Sequence, residues 1–453
     1  MKKTALLFFG LCLAGTGFAQ NADSVLLKSL SNDIMLNGKC YDNLRVLTKT
    51  IGHRLSGSPE ADKAVEWGKK TMEATGADKV WLQPVDVPVW VRGTESLKIQ
   101  MNGTEFVPVS MLSLGNTEGT KGKMLEENII CVPDLDAFEK LTQQQVAGKI
   151  IFFNYKFRQD IINTFAGYGD AVKYRWMAVN NASKKGAAAV IIRSVSTGAD
   201  DAPHTGSSRY EDSVKQIPAI AIGNVSADKL AEACAKGSIK AQLISNCTNK
   251  GMKRSYNVIG EITGSEKPKE IITIGGHLDS WDVGEGAQDD GAGCVQSMEM
   301  IRTLKALGIK PKHTVRAVLY MNEENGDKGG WAYSDSLAKS DSKGIFAMES
   351  DAGGFAPRGV GLDMPLEMKQ KIQSWAPLFL PYGVYNFNDD ESGTDIYPMK
   401  KHDVPLAGLI PDSQRYFDLH HSRNDVFESV SHRELKLGAW VMTAMVLLVD
   451  KNF

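Results

Sequence analysis

The sequence predicts an α/β protein: a mostly parallel mixed sheet covered by helices on both faces, with a β-rich domain inserted into it. Three observations carry this. From Tyr256 onward, near-continuous apolar runs alternate with helical stretches: NVIGEI, IITIGG, TVRAVLYM, GIFAMES, PLAGLI and a final helix. Strands that are apolar on both sides need cover on both faces, the mark of a largely parallel sheet. Between about Gly115 and Lys250 the texture changes to short strands and small-residue turns, NIICV, KIIFFNY, AAAVIIR, PAIAI and AQLIS, with helices between some of them. Finally, with the leader set aside, roughly 430 of 453 residues remain, more than one hydrophobic core usually organises.

Taken in order, residues 1–19 read as a signal peptide. MKK is a basic n-region, Ala5 to Gly17 an apolar h-region, and Gly17-Phe18-Ala19 a small-x-small cleavage site. The apolar run is too short to span a bilayer, and no later stretch approaches the ~20 apolar residues a span needs, so an exported protein, periplasmic or secreted, is expected. Cys12 follows Leu11, not the small residue that lipid attachment requires. Residues 20–115 should open the main domain. Helices occupy Asp23 to Gly76, one of them started by Ser58-Pro59-Glu60 and carried through Ala64, Trp67 and Met72. Strands follow in VWLQPVDVPVWV and around Leu97 and Phe106, the prolines hinting at edge positions. Residues 116–251 form the insertion, and 252–453 return to the main domain. Its last helix opens on Ser431-His432-Arg433-Glu434, a capping-box spacing, and runs to Val449.

The net charge of -2 offers no basic field, so neither nucleic acid nor an anionic membrane is an expected partner. Five cysteines lie beyond the leader, at 40, 131, 234, 247 and 294, with no close C-x-x-C pair. That odd, scattered set argues against a disulfide scaffold and a thiolate metal site. A single bridge, Cys234 to Cys247, is compatible with the count.

Ligands of open α/β sheets gather beyond the carboxyl ends of strands, and here those positions are acidic or histidine throughout. IITIGG runs into His277-Leu278-Asp279, and Asp289-Asp290-Gly291 precedes a helix. TVRAVLYM runs into Asn322-Glu323-Glu324-Asn325-Gly326, GIFAMES into Asp351, and YFDL into His420-His421-Ser422-Arg423-Asn424-Asp425. Nitrogen and oxygen donors without cysteine suit zinc in a hydrolytic site. The inventory fits two ions: Asp289 as bridge, His277 and Asp351 on one ion, Glu324 and His421 on the other. Asp279 lies two residues after His277, on the same side of extended chain, where its carboxylate can accept the free imidazole N–H. Glu323 is left over beside a ligand, as the general base for an attacking water.

The order H-x-D, D-D-G, E-E-x-G, D, H-S-x-x-D resembles the two-zinc aminopeptidase and glutamate carboxypeptidase family. GGHLDSWDVGEGAQDDGAG, MNEENG and HHSRND resemble its plasma glutamate carboxypeptidase branch. GHRLSGS at 52–58 is similar to that family's N-terminal segment. APHTG at 202–206 with IPAIAIG is similar to its inserted protease-associated domain. The resemblance implies a phosphorylase/hydrolase-like zinc exopeptidase fold, a peptide substrate, a cis Asp289-Asp290 bond and a homodimer. It assigns metal roles to His277, Asp289, Glu324, Asp351 and His421, the last because it begins H-S-x-x-D, and the catalytic role to Glu323. Substrate contacts are open. Arg423 is a candidate clamp for a terminal carboxylate or an ordinary surface arginine, and Thr394, Asp395 and Tyr397 line a pocket or form a turn, with His420 nearby. Two other classes compete with the peptidase. One is a non-catalytic receptor of the same fold and the other a one-zinc acyltransferase of the glutaminyl cyclase kind, and metal stoichiometry separates them.

Overall fold

The computed structural model describes residues 22–453, so the signal peptide expected at 1–19 lies outside the described residues. Two sheets organise the chain. The first runs in the order Lys79–Val91, Thr248–Ile262, His313–Tyr320, Lys267–His277, Lys343–Glu349, Leu406–Pro411, Pro357–Asp363. Its four central members from His313–Tyr320 to Leu406–Pro411 are parallel, and the outer pairings are antiparallel. Lys79–Val91 is an edge strand, and its register slips between Pro88 and Trp90, as expected where proline cannot donate to a ladder.

Alternation along the strands sends successive side chains into two cores. Ile272, Ile274, Val315, Ala317 and Leu319 join one core with helices Pro59–Ala74, Ala292–Ala306 and His432–Asn452. Ile271, Val318, Tyr320 and Ala347 join the other with helix Lys328–Lys339. Both faces are therefore covered, which is why these strands read as unbroken apolar runs. Ser58 and Ser431 cap their helices by accepting N–H bonds from Ala61 and Glu434.

The second sheet runs Val107–Val109, Glu95–Met101, Ile239–Ser245, Leu125–Val132, Ile150–Phe153, Ala189–Arg193, Ala219–Ile222, Met111–Ser113. It draws three strands from residues 95–113, ahead of the boundary expected at 116. Glu95–Met101 pairs along its length with Ile239–Ser245, a partner no local pattern announces. Ile150, Phe152 and Ile191 pack with helix Asn224–Lys236 on one face. Ile151, Phe153 and Ile192 pack with helix Met177–Lys184 on the other. The disulfide joins Cys131 to Cys234, not Cys234 to Cys247. Helix Asn224–Lys236 lies against strand Leu125–Val132 and brings those two thiols together, while Cys247 stays free and buried, its thiol donating to the carbonyl of Thr117. Among the described residues no helix is long and apolar enough to cross a membrane.

Candidate metal centre

The carboxyl ends of the central strands converge on one pocket. His277 closes strand Lys267–His277, and its Nε2 lies 3.2 Å from Oδ1 of Asp289 and 3.3 Å from Oδ1 of Asp351. Across the same carboxylate, Nε2 of His421 lies 3.1 Å from Oδ2 of Asp289 and 3.0 Å from Oε2 of Glu324. The five residues expected as ligands are thus brought together, with Asp289 in the middle. His420 stacks on His421 with ring centroids 3.5 Å apart, but its Nε2 stands farther from Asp289, at 3.7 Å.

The local chain explains why these side chains stay in place. The Asp289-Asp290 peptide is cis, as the resemblance implies. The Asp290 carboxylate is occupied by main chain, accepting the N–H of His277 at 3.0 Å and of Gly293 at 2.9 Å. Asp425 accepts the N–H groups of Ala287, Gln288 and Asp289, so the aspartate that ends H-S-x-x-D braces the central ligand. Arg54 of GHRLSGS is wholly buried and donates to the carbonyls of Leu278, Glu285 and Gly286. Ser56 of the same segment bonds Asn325 at 2.9 Å, beside Glu324.

Asp279 behaves differently from expectation. Nδ1 of His277 donates to the main-chain carbonyl of Asp279 at 2.9 Å, and the carboxylate stands 3.9 Å away. Instead Oδ1 of Asp279 accepts the N–H groups of Asn322 and Glu323, at 2.6 and 3.1 Å. It orients the loop that carries Glu323 and Glu324. The i, i+2 spacing brought both residues to one side but did not say which oxygen would reach the ring.

The electrostatics are those of crowded anions. Burial pushes Glu323 and Glu324 well above the usual carboxylate range, and neighbouring carboxylates push further. Burial opposes the charged form of Asp289, but His277 and His421 outweigh it and hold that carboxyl well below its ordinary value. Oδ2 of Asp289 is buried without a well-aligned hydrogen bond. Among the described residues, three overlapping triads, His277/Asp289/Glu324, His277/Asp290/Asp351 and Asp289/His420/His421, each bring their ligand atoms within 4.8 Å of one another. A pocket with surplus negative charge, two imidazoles and an unfilled carboxylate oxygen fits divalent cations held by nitrogen and oxygen.

A cavity of about 1280 Å³ opens over this centre between the two sheets, and Glu323, Asp351, His420, His421 and Thr394 line it. Arg423 does not, being exposed on the outer side of its loop. Tyr397 is 58% exposed and faces a shallow depression beside Trp331 that adjoins the cavity across Ser392, Gly393 and Thr394. Asp395 is buried beneath the cavity floor, its N–H directed at Glu349. The cavity's arginines are Arg175, Arg209 and Arg358. Arg175 reaches in from the second sheet, with Nη1 3.2 Å from Nδ1 of His421. Its position, far from the site in sequence, left no local signal.

A family model described as peptidase family M28 matches residues 257–446. Carboxypeptidase Q of Xenopus laevis is 33% identical over 422 residues, 92% of this chain and 88% of the relative. The crystal structure of a peptidase M28 precursor from Shewanella amazonensis SB2B superposes with a TM-score of 0.89 at 31% identity, covering 95% of this chain and 97% of that one. A zinc aminopeptidase from Bacillus subtilis shares the fold, with a TM-score of 0.66 at 20% identity over 90% and 94% of the two chains.

Proposed function

Because the chain belongs to peptidase family M28 and is a metallopeptidase, we propose that it is an exported exopeptidase that uses two zinc ions to cleave dipeptides or short peptides. One observation carries this reading: the two imidazoles approach opposite oxygens of a single buried carboxylate, His277 at Oδ1 and His421 at Oδ2 of Asp289. In it Asp289 bridges, His277 and Asp351 complete one site, and Glu324 and His421 complete the other. Bound zinc would supply Lewis acidity and acidify an attacking water. Glu323 lines the cavity beside Glu324, where its carboxylate is suited to accept the water's proton and pass it to the leaving amine. Asp279 holds the main chain of Glu323 in place. In this reading the cavity, lined by residues of both sheets' domains, takes short substrates, and residues 116–251 together with the strands at 95–113 that share their sheet are an insertion of the protease-associated type. The signal sequence carries the expected location, and the family resemblance carries a homodimer.

The test is metal analysis joined to kinetics. The wild type should hold two zinc ions per chain and lose peptide hydrolysis to a chelator. Glu323→Gln should keep both ions while kcat falls by ~10²–10⁴-fold, and Glu324→Ala should lose metal. Near-normal turnover in Glu323→Gln would remove the assigned base. A wild type with a single ion would remove the two-ion site. Peptides with free and blocked termini, tested in parallel, report which end is recognised.

A further inference from the structure

The A-P-H-T-G segment at 202–206 belongs to the second sheet's domain, and nothing in the mechanism above uses it. His204 is completely buried, and its Nδ1 lies 2.6 Å from the carbonyl oxygen of His420. A carbonyl can only accept, so Nδ1 carries the proton. The next residue, Thr205, donates its main-chain N–H to the carbonyl of His421 at 2.9 Å. Two consecutive residues thus hold the two carbonyls that flank His421. Between them His421 has φ +60°, the left-handed region that a residue with a β-carbon seldom adopts without outside support.

The clamp is itself anchored. The N–H of His204 donates to Ser194 Oγ, and Thr205 Oγ1 donates to the carbonyl of Ser113 at 2.8 Å. Beside it Ser196 and Thr197 bond Phe417 and Asp418 in the short helix Tyr416–Leu419 that leads into the His421 loop. The Lys267–His277 strand places His277 with no help from the second sheet, whereas His421 sits on a loop that the second sheet grips. We propose that His204 is a positioning residue. By holding the His420 carbonyl it sets the left-handed turn that aims His421, so the second sheet's domain controls the affinity of the Glu324/His421 metal site and leaves the His277/Asp351 site alone. This rests on the two-ion reading given above.

The experiment is a zinc titration of the metal-free full chain against a competing chelator, repeated with cobalt to follow the visible absorption of each site. His204→Phe keeps the ring and removes the donor, and since Nε2 has no partner nothing is lost at that end. His204→Asn places an N–H close to the original Nδ1. Wild type and His204→Asn should bind two ions with similar affinities. His204→Phe should bind the first ion as the wild type does and the second ~10–100-fold more weakly, the range typical of losing a group that orients a ligand. Should His204→Phe not fold, His204→Ala is titrated in its place. Wild-type affinity for both ions in the donorless variant, equal weakening of both, or no recovery in His204→Asn would overturn the proposal. A wild type that takes up only one ion would instead overturn the two-ion reading on which it rests.

Discussion

At the scale of single residues, the site separates side chains that face the pocket from those that hold the facing ones. Asp279 belongs to the second kind. One oxygen takes two N–H groups from the Glu323 loop, while Oδ2 is buried without a partner. Asp279→Asn keeps an accepting oxygen and Asp279→Ala keeps none. At matched zinc content, kcat should fall by ~10–100-fold in the alanine variant and distinctly less in the asparagine variant, with KM little changed. Equal losses in the two would show that the charge, not the loop geometry, matters. His204 supports a prediction in pH. Burial lowers its imidazole from 6.5 to about 4. Above pH ~6.5 the ring is neutral folded and unfolded and contributes no slope. As pH falls from there toward 4, the unfolded chain takes a proton that the folded chain refuses, and up to ~3 kcal/mol of stability is lost. Denaturant unfolding of the metal-free protein at pH 7 and pH 4.5 should show wild type losing stability relative to His204→Phe by about 2–3 kcal/mol. Among the candidate ligands His277, Glu324 and Asp351 were legible because each follows a strand end, whereas Asp289 leads into a helix and His421 follows the short helix Tyr416–Leu419, so motif order had to supply those two. The choice between pocket and surface for Arg423, Tyr397 and Asp395 stayed open in the sequence, because neighbourhood to a ligand does not say which way a loop residue faces. His204 and Arg175 were not legible as site residues at all, since their contacts to residues 420 and 421 cross more than 200 positions.

At the scale of elements, the metal site depends on how closely helix Ala292–Ala306 meets strand Lys267–His277. A β-carbon on Gly276 would stand 2.2 Å from Asp290 Oδ2, and one on Gly293 would stand 2.0 Å from the carbonyl of Ser350. Backbone and the buried Asp290 carboxylate fill that space, and neither can move without disturbing the bonds Asp290 makes to His277 and Gly293. Gly293→Ala should therefore cost ~1–3 kcal/mol, as overpacking does, and should weaken zinc binding as well, because the chain that presents Asp289 shifts with it. Thermal melts and zinc titration of that variant check both, and a variant that is destabilised but binds zinc normally would separate the helix contact from the metal site. Strands after Tyr256 could be read directly, because burial on both faces leaves an uninterrupted apolar run. Glu95–Met101 could not be assigned to the second sheet, since ESLKIQM alternates like any half-exposed strand and its partner lies near residue 240.

Across the whole molecule, the cores of the two sheets are built from different residues, and each sheet's domain has its own external stabiliser. In the two-ion reading zinc binds in the first, and by mass action it should raise that domain's unfolding temperature with metal concentration. The Cys131–Cys234 bridge lies wholly in the second and closes a loop of sequence separation 103. In the chain-entropy account a loop that long contributes about 4–5 kcal/mol, through the unfolded state. Calorimetry of the metal-loaded protein should therefore show that a reductant lowers the unfolding of the second domain and that a chelator lowers the unfolding of the first. The clamp from His204 and Thr205 to the His421 loop adds a dependence between them. Reduction should leave the first ion's affinity unchanged, yet once the second domain has melted, the Glu324/His421 site should weaken at a temperature where the first domain is still folded. One transition that responds identically to both reagents would show instead that the two cores unfold as a single unit. In that case the clamp would be one contact among many in a continuous structure, and the second sheet would hold no separate control over the metal.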